Sequence, residues 1–459
     1  MTAFSTLSIN SAILSSLDQQ SLTMMTPVQR ATLPDSLAGR DIQAQAETGS
    51  GKTVAFAVAA LNKLELTRLE PQVLILCPTR ELADQVAEQI RRVGRQMPNL
   101  KVVALCGGQP IGPQIKSLQF GCHVIVGTPG RLMDHLGKRR LALSSVKWRV
   151  LDEADRMLDM GFADVVAALF GQTDKNAQTL LFSATYTPEI EALAKTYLSN
   201  PVVYKQEARA ETKPDIEQMV YRVTPDTRKL ALKAVLTHYQ PKKAIVFCNT
   251  RLQVNEAVQD LQASGFTAGM LQGEMTQPQR TEVLVQFASD ALPVLVATDV
   301  AARGLDIADV DCVINFAVSE EPEVHIHRIG RTARAGASGK AFTLCSEEEQ
   351  SFLLKIQLLM GKDINSVGAQ SLRFHANRIV EPEYVCIAVG AGKKQKLRPG
   401  DFLGSLTQDA EIPSDDIGKI TVQSAQSYIA IKLRSVKRAM RHFREGKIKG
   451  KRVKARKVE

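Results

Sequence analysis

The run Ala46-Glu47-Thr48-Gly49-Ser50-Gly51-Lys52-Thr53 sets two glycines, a lysine and a hydroxyl where a helical stretch should begin. Glycines let backbone amides close on phosphate oxygens at a helix N-terminus, so the run reads as a P-loop. Lys52 would neutralise the β- and γ-phosphates of ATP, and the Thr53 hydroxyl would hold Mg2+. The usual first glycine is Ala46 here. Further on, the apolar stretch Trp148–Leu151 runs into Asp152-Glu153-Ala154-Asp155. Acidic residues at the C-terminal end of such a strand face the ligand crevice. Asp152 suits Mg2+, directly or through water, and Glu153 suits the polarisation of water for in-line attack on the γ-phosphate. An acidic cluster by itself is usually a solvated loop; beside a P-loop it reads as half of a nucleotide hydrolase.

Such groups need a scaffold that presents loops along one edge. Short β-branched runs (Val73–Cys77, Val102–Leu105, Val124–Val126, Val150–Leu151, Thr179–Phe182) alternate with helix-like segments, the pattern of a parallel α/β sheet. After the stretch Asn200–Asp215 the pattern restarts with Ala244–Phe247, Gly269–Leu271, Val294–Ala297, Cys312–Asn315 and Lys340–Leu344. A closing helix and linker are expected to end at Ile379–Glu383. Beyond them Tyr384–Val389, Ile417–Val422, Tyr428–Leu433 and Val453–Val458 read as strands, with helices at Pro399–Leu406 and Ser435–Arg444. That β-α-β-β-α-β order predicts an RRM-like unit. The expected domains are 1–207, 208–370, a linker at 371–383, and 384–459.

Charge follows the same division. The last 76 residues carry 18 Lys and Arg against 7 Asp and Glu, or +11, so the preceding 383 carry −1 of the total +10. A domain this basic is the electrostatic footprint of a nucleic-acid partner. The seven scattered cysteines form no Cys-x-x-Cys pair, which argues against both a disulfide framework and a zinc site. His325 and His327 lack a third ligand of suitable spacing. With no long apolar run and no basic, greasy leader, no membrane role is expected, and the chain is expected to be cytoplasmic. No coiled-coil heptads occur, so a monomer is expected.

Asp-Glu-Ala-Asp is the signature after which the DEAD-box family of RNA helicases is named, and the other motifs fall in that family's order. The resemblance covers Phe4 to Gly361. It implies two tandem RecA-like parallel-sheet domains, followed here by the small α+β RRM-like domain. Thr26-Pro27-Val28-Gln29 resembles the Q motif, which implies that Gln29 reads the adenine edge and that Phe4 stacks on the base. Ser21-Leu22 stands where the family usually has glycine and an aromatic. The implied RNA contacts are Arg80, Gly108, Thr128, Gly130 and Arg131 in the first domain, and Asn249, Arg280 and Thr298 in the second. They hold the sugar-phosphate backbone, so binding is expected to be indifferent to sequence. Asp306 would bind the ribose. Arg331 and Arg334, three apart, would act as arginine fingers from one helical turn, with Ala333 where glycine is usual. Asp155, Ser183, Thr185 and His327 would couple hydrolysis to strand separation. With the P-loop on one domain and the fingers on the other, ATP and RNA are fully engaged only when the domains close.

The tail resembles that of a bacterial branch of the family and implies docking on large-subunit (23S-type) ribosomal RNA in pre-50S particles. Its strands offer Tyr428 but otherwise mostly Val, Ile and Lys, so the aromatic platform on which RRM-like domains stack bases is largely missing. Binding is then expected to rely on Lys393, Lys394, Lys396, Arg398, Lys447, Lys449, Lys451 and Arg452. Three other readings stay open: a general cold-shock RNA unwinder, a low-turnover RNA-binding scaffold, and a DNA helicase. The joint presence of Lys52, Glu153, Arg331 and Arg334 disfavours the scaffold. The Gln29 motif and the RRM-like tail disfavour the DNA enzyme.

Overall fold

The structure, a computed structural model, describes residues 2–46, 49–205, 216–302, 310–333 and 338–458. These residues fall into two compact units, one running to Lys205 and the other beginning at Ile216. The expected positions Glu47, Thr48, Asp306 and Arg334 lie outside the described residues.

The first unit is built on a seven-stranded, all-parallel sheet. Its strands are β1 (Ile42–Gln45), β2 (Val73–Leu76), β3 (Val102–Leu105), β4 (Val124–Gly127), β5 (Trp148–Leu151), β6 (Gln178–Ser183) and β7 (Val202–Lys205), in spatial order β3-β4-β2-β5-β6-β1-β7. Strands covered on both faces read as continuous apolar runs, and β2 (VLIL) and β4 (VIVG) are buried at every position. The order places the loops after β5, β6 and β1 side by side, and those after β3, β4 and β2 beside them. Acidic cluster, coupling triplet and P-loop therefore share one stretch of the sheet edge, and the expected RNA contacts share the next.

The second unit contains another parallel sheet of β8 (Ile216–Arg222), β9 (Ala244–Cys248), β10 (Ala268–Leu271), β11 (Val294–Thr298), β12 (Cys312–Asn315), β13 (Gly339–Cys345) and β14 (Asn365–Gly368), in order β10-β11-β9-β12-β13-β8-β14. The closing helix lies earlier than expected, at Gln350–Met360, and Ile379–Glu383 is not helical. The span before the tail packs against this domain: Leu372, Phe374 and Ile379 lie on its core, and Gln240 Nε2 donates to the Arg378 carbonyl at 3.1 Å.

The tail has the expected β-α-β-β-α-β order. Its antiparallel sheet comprises β15 (Tyr384–Val389), β16 (Ile417–Val422), β17 (Ser427–Lys432) and β18 (Ala455–Lys457), in order β16-β17-β15-β18, with helices Pro399–Gly404 and Val436–Glu445. On the sheet face away from its core, Cys386, Ala388, Tyr428 and Val458 cluster with Val285 and Ala291 of the second domain, and Arg456 pairs with Glu282 on the helix Gln277–Ala288. Tyr428, the one aromatic expected to offer a stacking face, is 2% exposed within this contact.

Candidate ATP site and RNA interface

The P-loop leaves β1 and ends at the helix Lys52–Asn62. Gly49 and Gly51 have φ of 88° and 93°, values that only glycine adopts without strain. Ala46 needs no such freedom. Its amide donates to the Ser183 carbonyl at 2.9 Å, continuing the β1–β6 ladder, so the departure from the usual glycine is accommodated as strand.

Lys52 Nζ lies 3.2 Å from Asp152 Oδ1, with both side chains buried. Beyond that ion pair, neither the ammonium nor either Asp152 oxygen has a hydrogen-bond partner among the described residues. Burial alone would push the Lys52 pKa down, but the charges of Asp152, Glu153 and Asp155 outweigh it and hold it above the ordinary value. Burial raises the Asp152 carboxyl, against the pull of Lys52. Buried polar atoms without partners are costly, and this set fits an occupant: phosphate oxygens for Lys52 and a hard divalent cation for Asp152, with Thr53 at the adjoining helix position.

Glu153 is 2% exposed at the N-terminus of the helix Ala154–Asp159, and Arg156 Nη1 donates to its Oε2 at 3.1 Å. Asp155 Oδ2 accepts the amides of Ala184 (3.2 Å) and Thr185 (3.0 Å) and the Thr185 hydroxyl (3.1 Å). The acidic cluster is thereby tied to the Ser183–Thr185 triplet. Ser183 Oγ is buried without a partner among the described residues.

Gln29 is 4% exposed. Its Oε1 accepts the Thr26 amide at 2.8 Å and its Nε2 donates to the Gly51 carbonyl at 3.0 Å. The second amide hydrogen and second lone pair keep adenine recognition compatible with these contacts. Phe4 is expected to stack on the base. Its ring is 2% exposed within the core of the first unit, so in this structure it presents no face to a base. The sequence separation that suggested stacking does not distinguish a ring turned inward.

The first-domain RNA set converges. A Cβ on Gly108, whose φ is 68°, would fall 1.7 Å from Arg80 Nη1, so the guanidinium rests on that glycine. The Gly107 amide donates to Thr128 Oγ1 at 3.4 Å, and Arg131 donates to the Gln109 carbonyl at 3.2 Å. Gly130 is exposed at the start of the helix Pro129–Gly137, which also carries Arg131. Arginines, a hydroxyl and a close-approach glycine at one sheet edge suit phosphate and ribose oxygens.

In the second unit the contacts run through a residue that the sequence analysis did not single out. Arg328, 2% exposed, donates to both oxygens of Asp299 (2.7 and 2.6 Å), to Asn249 Oδ1 (2.8 Å) and to the Ala317 carbonyl (3.1 Å). It ties the loops after β9 and β11 to the helix Pro322–Ile329 that precedes Arg331. Thr298 Oγ1 accepts the Ala301 amide at 3.4 Å, and Arg280 Nη2 donates to the Ala301 carbonyl at 3.1 Å, so these two also meet. The helix ends at Ile329, and Arg331 lies in the turn beyond it, 7% exposed. Ala333 has φ of 58°, which accounts for the family's glycine at that place. His327 is half-buried on the helix. His325 is 1% exposed, with Nε2 3.4 Å from Gln218 Oε1.

In the tail, Lys393, Lys394, Lys396, Arg398, Lys447, Lys449, Lys451 and Arg452 are all exposed. Lys449 Nζ donates to the Lys396 carbonyl at 3.2 Å, bringing the two basic loops together. Ser405 Oγ, 2.7 Å from His442 Nε2, joins the helix Val436–Glu445 to the second loop through the Lys447 carbonyl at 3.4 Å. That helix adds exposed Lys437, Arg441 and Arg444, which sequence reasoning missed. Their spacing of three and four on an otherwise apolar-faced helix was the available signal.

Comparison with known proteins agrees with this geometry. Residues 26–193 match the DEAD/DEAH box helicase family, 227–336 the helicase conserved C-terminal domain, and 386–457 the DbpA RNA binding domain. The chain is 43% identical to the ATP-dependent RNA helicase DbpA of Escherichia coli over 98% of both chains, and 34% identical to DbpA of Bacillus subtilis over 100% of both. Saccharomyces cerevisiae Dbp5 bound to RNA and ADP BeF3 superposes with a TM-score of 0.74 at 26% identity, covering 81% of this chain and 97% of that one. The chain belongs to the DEAD-box ATP-dependent RNA helicases of DbpA type, RNA-dependent ATPases that carry their own RNA-binding domain.

Proposed function

We propose that the C-terminal domain delivers this helicase to large-subunit ribosomal RNA during 50S subunit assembly, where ATP turnover separates or remodels short duplexes. The observation that carries the reading is the disposition of charge in the tail. Twelve of its 18 Lys and Arg lie on two adjoining loops and one helix, while Tyr428 on the sheet face is covered. A surface of cations without an open aromatic platform suits folded RNA better than a splayed single strand. The relatives named DbpA share this tail across their full length, which supports the choice over a general cold-shock unwinder.

Within the first unit, Lys52 and the P-loop amides would hold the ATP phosphates and Glu153 would orient the attacking water. Asp152 and Thr53 would hold Mg2+, which when bound supplies charge neutralisation at the phosphates. Asp155 would pass the state of the phosphate site to Ser183–Thr185. Arg331 would neutralise charge developing on the γ-phosphate. The same reading makes the protein a cytoplasmic monomer.

The test is deletion of Tyr384–Glu459. The truncated protein should keep ATP turnover stimulated by arbitrary RNA and lose its preference for large-subunit ribosomal RNA. An equal preference with and without the tail would contradict the assignment.

A further inference from the structure

The short helix Ala154–Asp159 brings one more charge to the acidic cluster. Arg156 Nη1 reaches Glu153 Oε2 at 3.1 Å, with the two side chains 8% and 3% exposed. The backbone amide of Arg156 donates to Asp155 Oδ1 at 3.0 Å, and the other Asp155 oxygen holds Ala184 and Thr185. Glu153 has φ 56° and ψ 54°, a left-handed conformation that a side-chain-bearing residue keeps only when its surroundings impose it. Backbone and guanidinium thus both constrain the one side chain expected to polarise water.

Such constraint has a chemical use. An unrestrained glutamate would lose rotamer freedom on becoming fixed, and a reacting group misplaced by about 1 Å can cost on the order of a hundredfold in rate. A buried carboxylate also needs a compensating charge. Arginine on the same helical turn meets both needs.

We infer that Arg156 is a positioning residue for ATP hydrolysis: its guanidinium fixes the Glu153 carboxylate through Oε2 in the orientation that addresses the attacking water, and its amide links that orientation to Asp155 and the Ser183–Thr185 segment. Arg156 touches no reacting atom. The inference rests on the assignment of Glu153 as the water-polarising group.

The experiment measures steady-state and single-turnover ATP hydrolysis by the full chain with saturating RNA. It compares the wild type with Arg156→Ala, Arg156→Lys, Glu153→Gln and the Arg156→Ala/Glu153→Gln double variant. Arg156→Ala should lower kcat between about tenfold and a hundredfold. The KM for ATP and the RNA affinity should stay within about twofold, because the interaction removed serves only the transition state. Arg156→Lys should recover much of the rate, and the double variant should be no slower than Glu153→Gln alone, since the arginine acts through that carboxylate. If Arg156→Ala does not fold, Arg156→Gln, which keeps most of the stem, takes its place in the same cycle. An unchanged or raised kcat, a loss that adds to that of Glu153→Gln, or a change confined to KM would overturn the inference. Near-normal turnover by Glu153→Gln would remove the assignment of Glu153 itself, and the role of Arg156 with it.

Discussion

Gln29 Nε2 donates to the carbonyl of Gly51 at 3.0 Å, so the helix Pro27–Leu37 holds the phosphate loop directly. A Cβ at position 51 would lie 2.5 Å from that nitrogen, on a backbone with φ of 93°. Gly51→Ala should therefore open the loop and abolish measurable ATP binding, whereas Gln29→Ala, which removes hydrogen bonds but adds no clash, should weaken ATP about tenfold. Fluorescent-nucleotide titration separates the two. Equal affinities for both variants and the wild type would refute the coupling.

The Arg328 hub should behave as a buried ion pair whose partners depend on it. Arg328→Ala strands Asp299 and removes a donor to Asn249 and to the Ala317 carbonyl, at a cost of about 3–5 kcal/mol to the second unit. Lysine cannot reproduce the two-pronged contact, so Arg328→Lys should rescue little. Differential scanning calorimetry of the full chain should show one transition moving down; a thermogram unchanged in Arg328→Ala would contradict the hub.

His325 gives the second unit an acid-side dependence. Burial, with the positive charge of Arg328 adding to it, pushes the imidazole down from 6.5 to about 4. The unfolded chain then takes up the proton first, so protonation favours unfolding. The contribution is constant above pH 6.5 and is lost progressively as pH falls toward 4. The transition temperature of the wild type should decline across that window more steeply than that of His325→Asn. Parallel declines would exclude the histidine as the cause.

The exposed cations of the helix Val436–Glu445 should add phosphate contacts to those of the basic loops. Neutralising Lys437, Arg441 and Arg444 together should reduce the slope of log affinity against log salt by about 0.7–0.9 for each phosphate that is no longer neutralised. Measurement of RNA binding at several salt concentrations checks this. An unchanged slope would confine the interface to the loops.

How far the molecule was legible depended on distance along the chain. Strands rich in Val, Ile and Leu, such as β2, β4 and β11, declared themselves because burial on both faces demands apolar residues throughout. β1 did not: Ile42-Gln43-Ala44-Gln45 alternates polar and apolar residues, and Gln43 is nonetheless 4% exposed. The terse edge strand β14, Asn365–Gly368, is half-exposed and polar enough to pass for a loop. Where the local run carries the chemistry, the fold brings its residues together, as in Lys52 and Asp152. Arg328 was not singled out because its partners lie 29 and 79 positions away. The burial of the Phe4 ring was not legible for a related reason: spacing says where a ring sits along the chain and nothing about which way it turns.

The most direct measurement is ATP turnover by the purified full chain with no RNA, with large-subunit ribosomal RNA, with an unrelated structured RNA of equal length, and with DNA. The account predicts low turnover alone and with DNA, modest stimulation by the unrelated RNA, and strong stimulation by the ribosomal RNA. Equal stimulation by both RNAs would leave the helicase and contradict its targeting, and no stimulation by any nucleic acid would contradict the RNA-dependent motor itself.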